Sequence, residues 1–504
     1  MNIVFITSDQ HRGDCYGFEG RRVKTPHLDD LALRGTRFSA CITPSVVCQP
    51  ARASILTGLL PLTHGVRDNG IDLDAKIGEK GFAGALSGAG YQTAFIGKAH
   101  FSSFLTFSPT HTPECRFSQE NFGADWTGPY MGFEHVELVV EGHNNLEPFR
   151  PPAGLHHSQW YYGDGRGEIK NALYKQSLGP DTAEAFQTHY SALPSAWHNS
   201  TWIGDRAIDY IRKNHKRPFM MWVSFPDPHH PFDCPEPWSR LHAPGEVDLP
   251  AHRTHDFEKR PWWHRAYIEG TPQVGNNIQS MRSGVPTKPP SEEQLRHIIA
   301  HYYGMISLID HQVGRLEALL SELGIDDETL IVFSSDHGEW LGDHGLLLKG
   351  PMFYEGLLRV GLIMKGPGIP ANHVVQDPVS TLDLGPTFLD YCNVPSLQAC
   401  HGKSLAGVIS GANTRDFAFS EWDLGPGRRG LPLQLRAVRT RDAKLTVELA
   451  SGEGELYDLS ADPDENHNLW EEPGAAALRR RLCDYLHSRP ADQRSDPLPY
   501  SGIA

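Results

Sequence analysis

Four short apolar runs constrain this chain more than any other feature of its 504 residues. Residues 2–7, 91–96, 219–225 and 329–335 each have the length and the β-branched or aromatic content of a buried strand, and each runs straight into polar side chains able to do chemistry. The first leads to Asp9, the second to Lys98 and His100, the third to Asp227 and His229, and the fourth to Asp336 and His337. In an open, mostly parallel sheet, ligands bind outside the carboxyl ends of the strands, so these ends predict one shared site. Segments of helical spacing at 202–214 and 292–323 lie between the runs, as strand-helix-strand crossovers require. The predicted fold class is α/β: a large, mostly parallel sheet flanked by helices.

Two stretches break this pattern. Residues 101–197 are rich in Gly, Pro, His and aromatics (FRPPAGLHHSQWYYGDGRG) with no clear period, and 241–290, with Trp262, Trp263 and His264, is similarly irregular. Excursions of that length in a compact domain read as functional lids, whose aromatics either line a substrate pocket or pack the insertions down. Beyond residue 395 the alternation of LQLRAVRT and AKLTVELA predicts a small antiparallel sheet, and GAAALRRRLCDYLHSR a closing helix. The expected division is a catalytic α/β domain over 1–400 and a C-terminal α+β subdomain over 401–504.

Lys plus Arg total 46 against 61 Asp plus Glu, a net charge of −15 that repels a phosphate backbone or an anionic leaflet, so neither nucleic acid nor membrane is an expected partner. An anionic substrate would need a local cluster of cations or a metal to overcome that field. The eight cysteines form no C-x-x-C pair, and the amino terminus has neither a basic segment nor a long apolar one; together these predict buried thiols in a cytoplasmic protein. No apolar run reaches membrane-spanning length.

The segment VVCQPARASILTG, residues 46–58, carries the most chemical information. Pro50 suits the first turn of a helix and 51–56 contains good helix formers, so Cys48 falls where helix N-terminal N–H groups favour an anion, with Arg52 one turn further on. The pattern C-x-P-x-R-x-S-x-L-T-G over 48–58 resembles the signature of the sulfatase family of the alkaline-phosphatase superfamily. Further motifs of that family follow in order: GKAHF at 97–101, PHHP at 228–231, SDHGEWLGDHGLLLKGPMFYEGLLRV at 335–360 and LYDLSADPDENHNL at 456–469.

The resemblance implies a hydrolase of sulfate monoesters with a divalent metal ion, Ca2+ or Mn2+, and with Cys48 oxidised to formylglycine by a maturation enzyme. It assigns Cys48 as nucleophile, Asp9, Asp336 and His337 with residue 48 as metal ligands, and Arg52, Lys98, His100 and Lys349 as the groups that hold the sulfate and the aldehyde hydrate. His229 matches the acid that protonates the leaving oxygen, a task suited to imidazole. His100 would take the proton of the second hydroxyl as sulfate departs. Among the other histidines, His64, His230 and His344 read as structural, and Asp227 as either a turn residue or an active-site neighbour. The substrate implied is a small anionic sulfate ester.

Gln10 stands where many sulfatases have a second aspartate, and His337 where many have asparagine. Both are similar to choline-sulfatase and phosphonate-monoester-hydrolase branches, so the same scaffold cleaving phosphonate monoesters or phosphodiesters is the alternative activity. The pair Lys98 and His100 favours sulfate. Asn69, in VRDNG, matches a pocket asparagine of those branches and is assigned to substrate binding. A non-catalytic binding protein of the same fold is a third reading, opposed by the intact set from Cys48 to Lys349.

Overall fold

In a computed structural model of the chain, which describes residues 1–140, 155–269, 285–425 and 431–503, an eight-stranded sheet forms the centre. Its strands are β1 (Asn2–Ser8), β2 (Thr36–Phe38), β3 (Gln92–Gly97), β4 (His135–Leu138), β5 (Phe219–Phe225), β6 (Thr329–Ser335), β7 (Leu362–Lys365) and β8 (His373–Val375), in the spatial order β8-β2-β7-β6-β1-β5-β3-β4. All neighbours are parallel except those of β7, which runs antiparallel to β6 and β2. The four apolar runs are β1, β3, β5 and β6, and they are contiguous at the middle of the sheet.

Strand periodicity explains why those runs lack polar positions. In β1, Ile3 and Phe5 join one apolar layer and Val4 and Ile6 the other; β5 divides Met220 and Trp222 from Met221 and Val223 in the same way. Both faces are covered, as parallel sheets require. On one face lie α2 (Asn199–Asn214) and α3 (Glu292–Glu322); on the other lie α1 (Cys48–Thr57) and α4 (Leu384–Tyr391). A capping box starts α3: Ser291 Oγ accepts from the Gln294 amide at 3.2 Å, and Gln294 Oε1 accepts from Ser291 N at 3.0 Å.

Four strands of the main sheet escape the sequence reading. β4 lies inside the irregular 101–197 stretch, and β2, β7 and β8 have only three or four residues. Short edge or antiparallel strands carry too few residues for a period to show. In the second irregular stretch, Trp262–Glu269 is a helix whose Trp263 is fully buried and Trp262 exposed, so Trp263 serves packing. Residues 141–154 and 270–284 of the two stretches lie outside the described residues.

The expected C-terminal sheet is present as β9 (Ala418–Leu424), β10 (Leu433–Arg439), β11 (Ala443–Glu448) and β12 (Gly454–Asp458), all antiparallel, closed by α5 (Ala476–His487). Leu405, Val408 and Ile409 still pack into the cluster beneath the main sheet. All eight cysteines are free, and among the described residues no helix is long and apolar enough to cross a membrane.

Trp222 is the hub of the layer beneath the site: its ring centroid lies 4.9 Å from Phe5, 5.1 Å from Phe95 and 5.9 Å from Phe101, and its Nε1 donates to Thr7 Oγ1 at 2.8 Å. Trp222→Ala leaves a cavity and removes one of the two hydrogen bonds of Thr7 Oγ1, which keeps its bond to Ser224 Oγ, so a loss of about 3–5 kcal/mol is expected in urea unfolding. A loss below about 1 kcal/mol would show that the layer collapses around the gap.

Candidate active site

Strand register brings the chemistry together. Ser8 is level with Ser335 on one side and Phe225 on the other, and Gly97 is level with Ser224, so Asp9, Asp336, Asp227 and Lys98 leave the sheet within one or two residues of the same line. Gly97 has a φ of 116°, and a Cβ there would meet Ser224 O at 1.9 Å. Only glycine permits the turn that sends Lys98 over the strand ends, where Lys98 N donates to Ser224 O at 2.9 Å.

Helix α1 delivers the remaining groups. It begins at Cys48, and every one of its residues is buried. Asn69 Oδ1 accepts from the amide of Gln49 at 2.9 Å, satisfying one of the N-terminal donors. Asn69 is therefore a neighbour of the Cys48 turn, with its carbonyl oxygen turned to the backbone.

Arg52 binds the strand ends to one another. Its Nε donates to Asp336 Oδ2 at 2.8 Å, one terminal nitrogen to Lys98 O at 2.6 Å and Ser224 Oγ at 2.8 Å, and the other to Asp9 Oδ2 at 3.4 Å. Asp336 Oδ1 accepts from the backbone amides of Gln10 and His337. Lys98 Nζ lies 2.5 Å from Asp9 Oδ2. The planar five-donor guanidinium suits this task, whereas an ammonium could not reach all of these acceptors.

Cys48 Sγ sits at the focus, 3.0 Å from Lys349 Nζ, 3.1 Å from His337 Nε2 and 3.7 Å from Asp9 Oδ1. Burial alone would push its thiol up, but Lys349, His337 and Lys98 hold it well below its ordinary value. Lys349 also donates to Gln10 Oε1 at 2.9 Å. His337 Nδ1 donates to Gly338 O at 2.8 Å, which leaves Nε2 facing Cys48 and Asp9. Facing ligand atoms of Asp9, Cys48, Asp336 and His337 lie within 4.8 Å of one another. Two carboxylates, one imidazole nitrogen and the group at position 48 make a donor set that fits a hard or borderline divalent cation.

Two histidines flank the thiol at the mouth. His229 Nδ1 donates to His230 O at 2.7 Å, and burial, Lys349 and Lys98 lower its pKa. Burial likewise brings His100 down to about 4. Every residue assigned from sequence, from Asp9 to Lys349, thus gathers here, with Asn69 one hydrogen bond from α1. His230, read from sequence as structural, stacks on His229 at 4.0 Å, and sequence reading missed Glu339, which accepts from Gln10 Nε2. Their contacts depend on loops no period reveals. His64 bonds Ser54 in the core, and His344 stacks on Tyr354, as structural readings require. Asp227 accepts from Ser200 Oγ, and burial pushes its carboxyl up to about 7.

The family model described as Sulfatase matches residues 1–394. The chain belongs to the sulfatase family. A second model, N-sulphoglucosamine sulphohydrolase, C-terminal, matches residues 342–492 of this sulfatase. It is 30% identical over 499 residues to the choline-sulfatase of Rhizobium meliloti, covering 97% of this chain and 86% of that one. Similarity to the arylsulfatase of Clostridium perfringens is 28% over 484 residues, covering 93% and 90%. Among solved structures, phosphonate monoester hydrolase of Agrobacterium radiobacter superposes with a TM-score of 0.78 at 27% identity, covering 97% of this sulfatase and 95% of that chain.

Arg52 is the buried charge on which this geometry turns. Arg52→Ala strands Asp9 and Asp336 without their shared partner, and breaking a buried pair from one side costs about 3–5 kcal/mol. Urea unfolding of the variant checks this; a change under about 1 kcal/mol would mean that water replaces the guanidinium.

Proposed function

We propose that this sulfatase cleaves the sulfate monoester of a small alcohol, phenol or sugar through formylglycine at position 48 and one divalent cation. The observation that carries the reading is the placement of Cys48 Sγ within hydrogen-bond reach of Lys349 and His337, beside Asp9 and at the start of a buried helix. Asp9, Asp336 and His337 would hold the cation with residue 48, and the imidazole nitrogen tilts the choice between Ca2+ and Mn2+ toward Mn2+. Formylglycine supplies two hydroxyls on one carbon, one to attack sulfur and one to expel the product, and the cation supplies charge neutralisation and a more acidic hydroxyl. A maturation enzyme that oxidises Cys48 is the implied partner. Eight free cysteines fit a reducing compartment, and the cytoplasm is the proposed location.

The side chains divide the work by their partners. Lys98 and Lys349 present ammonium groups to the sulfuryl oxygens, supplying the local positive field that a chain of net charge −15 needs. Arg52, with its guanidinium committed to Asp336, Asp9, Ser224 and the Lys98 carbonyl, positions the carboxylates. His229, its Nδ1–H fixed on the His230 carbonyl, must take a second proton at Nε2 and act as the imidazolium to protonate the departing oxygen, a form that burial, Lys349 and Lys98 oppose and Asp9 favours. His100 takes a proton at residue 48 when sulfate leaves. Asn69, with its carbonyl on Gln49 N, contributes its amide nitrogen to the substrate.

Gln10, His337 and the likeness to a phosphonate monoester hydrolase favour a second reading, in which the same site prefers phosphonate monoesters. One preparation assayed on nitrophenyl sulfate and on a phenyl phosphonate monoester separates the two. Dominant sulfate turnover is expected, accompanied by the mass of an aldehyde on the peptide holding residue 48. Phosphonate turnover higher by orders of magnitude would reverse the assignment, and full activity with only unmodified cysteine would end the formylglycine mechanism.

Leaving-group protonation matters more as the leaving oxygen becomes more basic, and general acids contribute about a hundredfold to ten-thousandfold. His229→Ala should therefore lower turnover of an alkyl sulfate by about that factor and turnover of nitrophenyl sulfate far less. Equal losses on both would reassign His229 to sulfate binding, which the two substrates share.

A further inference from the structure

We infer that Glu114 is a positioning residue that sets His100 for sulfate release, an inference that rests on the function proposed above. His229 and His337 each have the ring nitrogen remote from Cys48 pinned to a backbone carbonyl. His100 does not: its Nδ1 is buried without a hydrogen-bond partner. The ring must be aimed by its backbone, and that backbone is unusual, with a φ of 52° in the left-handed region that histidine seldom occupies.

One carboxylate holds the turn in that shape. Glu114 Oε2 accepts from the amide of His100 at 2.6 Å, and Glu114 Oε1 accepts from the amides of Phe101 at 3.0 Å and Ser102 at 3.1 Å. Three consecutive N–H groups thus converge on one carboxyl supplied by the chain itself; these bonds favour its charged form, while burial pushes its pKa up to about 7. Tyr130 Oη donates to the same Oε1 at 2.8 Å, orienting the carboxylate in turn. Glu114 is only 2% exposed, so water does not compete for these bonds. From the core side the turn is fixed by Phe101, whose ring lies 5.7 Å from Phe95 and 5.9 Å from Trp222. His100 is therefore clamped between an apolar anchor and a hydrogen-bonding carboxyl. A left-handed backbone with its amides satisfied from one point has no reason to persist once that point is lost.

Glu114→Gln keeps the size of the side chain but offers one amide oxygen to three N–H groups and turns an NH2 toward the rest. Two measurements on the matured, metal-loaded enzyme read the consequence. Hydrogen exchange of the peptide covering 98–104 should accelerate by tenfold or more on loss of the three bonds, with peptides of the main sheet unchanged. With nitrophenyl sulfate, kcat should fall about tenfold to a hundredfold while kcat/KM changes by less than about threefold, because kcat/KM ends at departure of the alcohol and His100 acts after it. Glu114→Asp, which keeps the charge, should recover part of the lost kcat, and Glu114→Gln should add nothing in a His100→Ala background. Should Glu114→Gln fail to fold, Tyr130→Phe, which removes one bond to the carboxylate, should give the same split in smaller measure.

Equal losses in kcat and kcat/KM, an additive double variant, or unchanged exchange at 98–104 would each overturn the role. The exchange arm uses no substrate, so it stands or falls separately from the proposed activity. Failure of that activity shows instead in the wild-type enzyme, as a missing aldehyde at residue 48 or a preference for phosphonate.

Discussion

Burying like charges together is the constraint the rest of this molecule answers to. Asp9 and Asp336, at the carboxyl ends of β1 and β6, meet the Cys48 sulfur at the amino end of α1, all essentially out of water. Unit charges about 4 Å apart interact by about 4 kcal/mol even at an effective dielectric constant of 20. Such a cluster persists only where cations are held as rigidly as the anions. Arg52, Lys98 and Lys349 supply them, each from a different segment: helix α1, the turn after β3 and the loop after β6. Because the cations come from separate segments, the site forms only when the whole central sheet has registered.

The surroundings can be read as devices for holding those segments still. The loop after β6 is gripped by Glu339, which accepts from the amides of Leu341 and Leu348 and from Gln10, and so ties the Lys349 approach to the strand end that bears Asp9. Buried Lys444 of β11 donates to Phe353 O and pairs with Glu465, whose other oxygen accepts from Glu355 N. The turn that places Asn69 against α1 is held through Asp68, which accepts from Trp422 Nε1 and Tyr500 Oη, both at 2.9 Å. The C-terminal sheet and the terminal strap thus reach the Cys48 turn through two or three hydrogen bonds. That contact gives a physical reason for a small antiparallel sheet to accompany the large parallel one.

What the sequence disclosed follows from what a linear pattern can encode. The four central strands were legible because burial on both faces leaves no polar residue to interrupt them, and the site was legible because their ends carry Asp, Lys and His directly. The crossover helices over 202–214 and 292–323 emerged within three residues at their starts and one at their ends. β2, β4, β7 and β8 were not legible: β4 lies among Gly, Pro and aromatic residues and the others have three or four residues. Nor was the inward commitment of Arg52, since the motif names the residue but not its partners. Ser224 and Lys98 O become its acceptors only through the pairing of β3 with β5. His230 and Glu339 entered the site the same way, by loop geometry. Glu114 lies fourteen residues from His100 in a stretch with no period at all.

The charge of the whole chain and the charge of the site point in opposite directions, and distance reconciles them. A surface of net charge −15 disfavours an approaching sulfate ester at long range, but at physiological ionic strength that repulsion decays over about 8 Å. Inside the mouth, Lys98 and Lys349 act within contact distance and in a medium of lower dielectric, where a fixed cation has far more effect than the same charge in water. Most of the Lys98 charge is already answered by Asp9, and most of the Arg52 charge by Asp336. The singly charged ester would therefore find little uncompensated positive field beyond Lys349. A divalent cation among Asp9, Asp336 and His337 would release Lys98 from Asp9 to face the substrate. Binding of the ester would thereby be coupled to filling of the metal site, and the carboxylates that look like a barrier to anions would become the means of concentrating positive charge at the sulfur.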